Sequence, residues 1–202
     1  MTGAKEALQR LREGNARFVA GELQSDSLHH QARREEVADE QAPFAVIVGC
    51  SDSRVPVEIV FDQSLGDLFV IRVAGNVISH TQLGSIEFAA AELGARLVVV
   101  LGHTRCGAMQ AALEAVQRGR VPPSEHLRLI VDEIRPAVET AIERGGDCEP
   151  GALVNLAGRE NVRRSAEKIR AESSVVRELA DRDGLLVVGA QYSLGTGEVE
   201  FF

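Results

Sequence analysis

The sequence predicts an α/β protein built on a mainly parallel sheet. Two observations carry this: continuous apolar runs rich in β-branched residues recur along the chain, and helical patterns separate them. A third is the tail, where a glycine turn and one more short extended segment add an antiparallel strand.

Ala4–Ala20 sets Ala7, Leu8, Leu11, Ala16, Phe18 and Val19 among Lys, Glu and Arg, the pattern of an amphipathic helix that Gly21 ends. His29 and His30 follow in a polar stretch, then Arg33–Asp39 gives a second short helical pattern that Pro43 closes. Phe44–Gly49 (FAVIVG) is the first strand, apolar enough to be buried on both faces. Pro56 suits the first turn of a helix over Val57–Phe61. Leu68–Val73 (LFVIRV) is the second strand, Ser85–Leu93 a helix stopped by Gly94, and Leu97–Leu101 (LVVVL) the third strand. Ala108–Arg118 and Ser124–Arg144 read as longer helices, with Pro136 kinking or interrupting the second. Asn161–Ala171 and Ser173–Arg182 complete the helices, and Gly184 is a stop signal. Leu185–Ala190 (LLVVGA) is the fourth parallel strand, and after the turn at Gly195–Thr196–Gly197 the segment Glu198–Phe202 returns antiparallel to it. No repeat, low-complexity segment or linker divides the chain. The expectation is one domain over residues 1–202, with a helical arm over 1–40 and an α/β core over 41–202.

The 202 residues are 45% hydrophobic and 26% charged, a globular composition. A net charge of −8 argues against nucleic acid or an anionic membrane as partner. The longest apolar runs are too short to cross a bilayer, and Lys5, Glu6, Arg10 and Arg12 leave no apolar signal-peptide core at the start. Three cysteines, an odd number in a chain of this length, favour a reducing, cytoplasmic setting over a disulfide framework.

In such a setting, cysteines beside His and Asp point to metal chemistry. Cys50-Ser51-Asp52-Ser53-Arg54 follows the first strand directly, and Gly102-His103-Thr104-Arg105-Cys106-Gly107 follows the third. Taken singly, each residue has an ordinary explanation: Cys50 and Cys106 as small core residues, Asp52 and Ser53 as helix caps, His103 as a hydrogen-bonded core histidine. Jointly they sit at the carboxyl ends of two strands, where open α/β sheets bind ligands. Paired strands lie about 5 Å apart, close enough for two strand ends to share one ion. Two thiolates and an imidazole are donors that zinc prefers, and Cys2His plus water is a catalytic ligand set. Asp52 is near enough to bind the metal as a fourth ligand or to turn towards Arg54, whose planar fork suits a carboxylate. Cys148, in Gly145–Gly151 (GGDCEPG), has no such neighbours and is treated as a thiol without function.

C-S-D-S-R followed by H-T-R-C-G resembles the β-class carbonic anhydrases. The likeness extends to Asn15-Ala16-Arg17-Phe18, Leu65–Asn76 (LGDLFVIRVAGN), Gly84–Ala89 (GSIEFA) and Gly189–Tyr192 (GAQY). It implies zinc held by Cys50, His103 and Cys106, with Asp52 as a further, switchable ligand. The implied activity is reversible hydration of CO2 to bicarbonate, with Asp52 and Arg54 orienting a zinc-bound hydroxide. Gln41, Gly107, Phe69 and Phe88 match positions that contact or enclose the substrate. A homodimer, or a dimer of such dimers, is implied as the assembly, with neighbouring subunits contributing to the CO2 pocket. One departure stands out: some relatives carry a tryptophan where this chain has Ile47, part of a regulatory bicarbonate pocket whose other members Arg72 and Tyr192 would supply. No proton shuttle is evident; His80, in a Ser-His-Thr turn, is the nearest candidate in sequence. Three alternatives stay open: a CS2 or COS hydrolase on the same fold, a non-catalytic zinc protein whose site Asp52 closes permanently, and a thiol redox protein, which no C-x-x-C supports.

Overall fold

Strands rich in Val and Ile need cover on both faces, and the order of helices and strands supplies it. In a computed structural model, which describes residues 2–24, 31–146 and 148–202, β1 (Ala45–Gly49), β2 (Leu68–Arg72), β3 (Leu97–His103), β4 (Leu186–Tyr192) and β5 (Val199–Phe201) form one sheet. Its order is β2-β1-β3-β4-β5; the first four strands are parallel and β5 is antiparallel to β4. His29 and His30 lie outside the described residues.

On one face, α1 (Ala4–Ala20) and α3 (Val57–Val60) pack Ala7, Leu11, Val57 and Val60 onto Ile47, Val99 and Leu101. On the other, α4 (His80–Ala91), α7 (Pro150–Glu172) and α8 (Ser174–Asp183) pack Ile86, Val162, Ile169 and Val176 onto Val46, Val48, Val98 and Val100. A third cluster surrounds Cys50 and Cys106 with side chains of α5 (Gly107–Arg118), α6 (Glu125–Gly145) and the first half of α7, among them Met109, Ile134 and Leu153. The remaining helix, α2 (Gln31–Glu36), has no buried residue.

Asn15-Ala16-Arg17-Phe18 fastens α1 to the core. Asn15 Nδ2 donates to the carbonyls of Val60 (3.1 Å) and Gly197 (2.8 Å), and its Oδ1 accepts from Val199 N (2.8 Å). Arg17 donates to the buried carboxylate of Asp62.

Three elements depart from expectation. The helix expected at Ser85 begins at His80, where Ser79 and Gln82 form a capping box, so His80 opens a helix instead of lying in a turn. Pro136 does not interrupt α6, which runs on to Gly145. A helix-interior proline costs about 3 kcal/mol, but Ile134, Ala137, Val138 and Ala141 bury a full apolar stripe around it. The last long helix begins at Pro150 rather than Asn161, because Leu153, Val154 and Ala157 carry its buried face a further three turns.

Candidate metal centre

The site begins with the sheet. The chain leaves β1 for β2 on one side and reaches β3 on the other, so the boundary between β1 and β3 is the topological switch point. Gly49 pairs with Leu101, and β3 runs two residues further to His103, which pairs with Tyr192 of β4. Cys50 therefore leaves β1 beside the strand end that carries His103, and Cys106 follows as the N-cap of α5.

The three side chains converge. Cys50, His103 and Cys106 are 4%, 2% and 3% exposed, and their donor atoms all lie within 4.8 Å of one another. The sulfurs are 4.0 Å apart, close to the roughly 3.8 Å that two Zn–S bonds of about 2.3 Å span in a tetrahedron. His103 Nδ1 lies 2.9 Å from the Thr104 carbonyl. A carbonyl only accepts, so Nδ1 carries the proton and Nε2 keeps its lone pair. Among the described residues that buried Nε2 has no hydrogen-bond partner. A buried lone pair without a donor is costly, and a cation is what it lacks.

The thiols agree. The hydrogen bond from Cys106 pulls the Cys50 pKa well below the usual thiol range against the opposing effect of burial, helped by His103 and by the backbone N–H groups of Asp52 and Gly75. The same contact pushes Cys106 up, with burial adding to it. One thiolate forms readily and holds the second proton on, and a divalent cation between the sulfurs relieves that repulsion. Two soft thiolates and one imidazole in a buried, preformed site fit zinc.

Asp52 stands at the rim. Arg54 holds it in a fork, Nε to Oδ1 at 2.9 Å and Nη2 to Oδ2 at 2.7 Å, and the Arg54 backbone N–H adds a third bond at 3.0 Å. These bonds keep the Asp52 carboxyl well below the usual carboxylate range. Its Oδ2 is 3.8 Å from His103 Nε2, so the carboxylate faces the cluster while its bonds go to Arg54. Arg54 Nη2 also reaches the Arg105 carbonyl at 3.4 Å, tying the loop after β1 to the loop after β3.

Three residues that support these loops went unassigned a positioning role in the sequence. Arg72 donates to the carbonyls of Cys50 (3.0 Å) and Asp52 (2.6 Å). Asn155 of α7 accepts from the backbone N–H of Arg105, a non-glycine residue at φ 55°. Gly75 donates its N–H to Cys50 Sγ at 3.4 Å. Gly75 has φ 70°, and an added Cβ would lie 2.7 Å from Ile134 Cδ1 and 3.1 Å from Ala108 Cβ. A Gly75→Ala substitution is therefore expected to cost about 2–4 kcal/mol from left-handed strain and overpacking. Denaturant unfolding of the variant against the parent protein measures it.

Of the other expected site residues, Gly107 adjoins the cluster and the rest lie away from it. Gly107 is the first residue of α5, beside Cys106, and an added Cβ would meet nothing within 4 Å. Gln41 is exposed and precedes β1, at the end of the strand away from Cys50; it borders a surface hollow with Val37, Glu92 and Leu93. Phe69 and Phe88 touch each other, ring centroids 6.2 Å apart. Phe69 packs against the face holding Val46 and Ile86, separate from the cluster of Cys50 and Cys106. Ile47 and Tyr192 share the α1 face of the core, and the bonds of Arg72 go to backbone carbonyls. Cys148 is exposed. No helix among the described residues is long and apolar enough to cross a membrane.

A buried Cys2His donor set at the switch point of a parallel sheet, with an ionised carboxylate at its rim, defines an α/β protein with a zinc centre. The carbonic anhydrase family model matches residues 45–199. The chain is 41% identical over 198 residues to carbonic anhydrase 2 of Mycobacterium tuberculosis, covering 97% of this chain and 91% of that protein. It is 39% identical over 194 residues to the carbonic anhydrase of Mycolicibacterium smegmatis, covering 96% and 91%. Among solved structures, a tetrameric β-carbonic anhydrase of Sordaria macrospora superposes with a TM-score of 0.77 at 26% identity, covering 86% of this chain and 88% of that one. The β-carbonic anhydrase CafA of Aspergillus fumigatus gives 0.77 at 27%, covering 98% and 89%. The chain belongs to the β-class carbonic anhydrase family.

Proposed function

We propose that this protein catalyses the reversible hydration of CO2 to bicarbonate and a proton, with zinc held by Cys50, His103 and Cys106. The observation that carries the reading is the Asp52–Arg54 fork, which keeps the carboxylate ionised, facing the three-donor cluster and engaged away from it. A purely structural zinc site closes with four protein donors, and a fourth donor held off by an arginine is the arrangement of an open one. Bound zinc supplies the Lewis acidity that brings the pKa of a water to about 7. The protein does the rest. Thr104 fixes the His103 tautomer, leaving Nε2 free to bind. Asp52, too weak a base to keep a proton, accepts a hydrogen bond from the attacking oxygen and so aims its lone pair at the carbon of CO2. Arg54 stops that carboxylate from taking the substrate's place. Gly107, lacking a side chain, leaves the approach beside Cys106 open. Stopped-flow CO2 hydration across pH, with zinc content measured on the same samples and CS2 assayed in parallel, tests the reading. A fully zinc-loaded protein without CO2 hydration overturns it.

The working unit in this proposal is a homodimer whose sites are shared. Gln41 lies beyond the amino end of β1 and Cys50 beyond its carboxyl end, and five strand residues alone span about 16 Å. A glutamine at that distance cannot serve its own chain's metal, so Gln41 is assigned to the site of a second copy. Phe88 is 49% exposed beside Phe69, an apolar pair suited to cover from the same partner. The tetrameric Sordaria macrospora relative supports an oligomer. Complementation tests the sharing. Co-expressing Asp52→Asn and Gln41→Ala chains restores one intact site per mixed dimer if Gln41 acts in trans, giving about a quarter of parental activity in a statistical mixture. Activity no higher than the average of the two pure variants places Gln41 outside a shared site.

A further inference from the structure

We infer that Arg72 is a positioning residue for the reaction: its guanidinium holds the Cys50–Asp52 loop so that the Asp52 carboxylate is presented to Arg54. The loop leaves the sheet in a way that makes this necessary. Ladder bonds continue one step past β1, from Val73 N to the Gly49 carbonyl (3.1 Å) and from Ser51 N to the Val73 carbonyl (3.2 Å), and then stop. Two carbonyls at the turn point back towards β2. Arg72, the last residue of β2 and the register partner of Gly49, answers both: Nε to Cys50 O at 3.0 Å and Nη2 to Asp52 O at 2.6 Å. A planar fork spanning two carbonyls fixes the backbone between them as well as at each end. That backbone carries one thiolate donor, Cys50, and the carboxylate, Asp52, so their separation is set by Arg72. The Asp52 carbonyl also accepts from Val55 N at 3.0 Å, which closes the turn. Turn closure and the single bond from Ser51 N to the Val73 carbonyl leave the turn free to pivot about that bond, and the guanidinium, by holding the carbonyl on each side of Ser51, removes that freedom. The same two bonds engage Nε and Nη2 of the arginine in holding the loop.

The inference rests on the CO2-hydration reading for its rate measurement, and the parent protein in the same assay tests that reading separately. Arg72→Gln and Arg72→Lys are compared with the parent for zinc content, unfolding midpoint, kcat and KM. The visible spectrum of the cobalt-substituted forms reports the metal's donor set without any substrate. Arg72→Gln, which is shorter and lacks the two-nitrogen fork, is expected to keep its zinc and fold while kcat falls about 10- to 100-fold, the usual effect of removing a partner that orients a metal ligand. Its cobalt spectrum should shift, as a loosened Asp52 changes the metal's fourth donor. Arg72→Lys, which keeps the charge but not the fork, should fall between the two in both rate and spectrum. Parental kcat and spectrum in Arg72→Gln overturn the inference. So does a loss of activity that merely follows loss of zinc, or a lysine variant no better than the glutamine one. If the glutamine variant fails to fold, the lysine variant decides alone: intermediate rate and spectrum at full zinc content support the role, and parental values overturn it.

Discussion

A zinc-loaded Asp52→Asn protein is expected to keep its metal and lose CO2 hydration by about two to four orders of magnitude, the range spanned by a positioned proton-accepting group. The substitution keeps the shape of the side chain, so the Cys50, His103 and Cys106 donors are untouched. What changes is hydrogen-bond sense. The carboxylate receives three bonds from Arg54 and still has lone pairs to offer towards His103 and the cluster. An asparagine has one acceptor oxygen. If that oxygen stays with Arg54, the amide N–H groups face the attacking oxygen and turn its lone pair the wrong way; if the amide flips, N–H meets guanidinium and the fork opens. Either way the acceptor is lost. The effect should not be a disguised titration. Arg54 depresses the Asp52 pKa, so the carboxylate is charged at every pH above its ordinary value of about 3.9. Any stability the pair contributes is likewise present above that value and fades only as pH falls through the lower, folded one. The loss in rate at neutral and alkaline pH should therefore be uniform, measured as kcat/KM per bound zinc. A variant with parental activity across that range removes Asp52 from the mechanism.

The strands were legible in the sequence because burial on both faces leaves room for nothing but apolar residues, and Val46–Val48 and Val98–Val100 say so locally. The donor set was legible for a similar reason: two of three cysteines and a histidine stand directly after two of those runs. Helix starts were harder. Ser79 and Gln82 cap α4 through a contact between residues that look like an ordinary polar turn, and glycines at 151 and 158 dilute the apolar stripe that makes α7 begin at Pro150. The supports of the site were not legible at all as supports. Arg72 acts across 22 residues, Gly75 across 25 and Asn155 across 50, and each acts on backbone or through backbone, which leaves no trace in residue type at the receiving end. Gln41, matched through the family resemblance, lies nine residues from Cys50 in sequence, and nine extended residues reach about 30 Å, so its position beyond the amino end of β1 bears on the site only through a second copy of the chain.

Cys106→Ser should abolish zinc binding and with it all activity above the uncatalysed rate, while leaving the fold in place. Cys106 does two jobs, and serine separates them. It occupies the N-cap position of α5 without a side-chain cap hydrogen bond, and serine is a favoured residue in that position. As a metal donor, it is one of two soft anions, and a serine hydroxyl at neutral pH is neither soft nor charged. What remains is Cys50 and His103, with Asp52 drawn away by Arg54, for an ion that takes at least three donors from its protein. Metal analysis after dialysis should find less than about one-tenth of an equivalent per chain, against about one for the parent. Thermal unfolding supplies the control for folding. A ligand that binds only the native state raises stability in proportion to the logarithm of its occupancy ratio, so a chelator should lower the midpoint of the parent protein. It should leave that of Cys106→Ser unchanged, because there is no metal to remove. The two midpoints should meet in excess chelator if serine has kept the cap. A serine variant that retains a full equivalent of zinc, or whose midpoint still falls on chelation, would mean that the metal is held by some other set of donors than Cys50, His103 and Cys106.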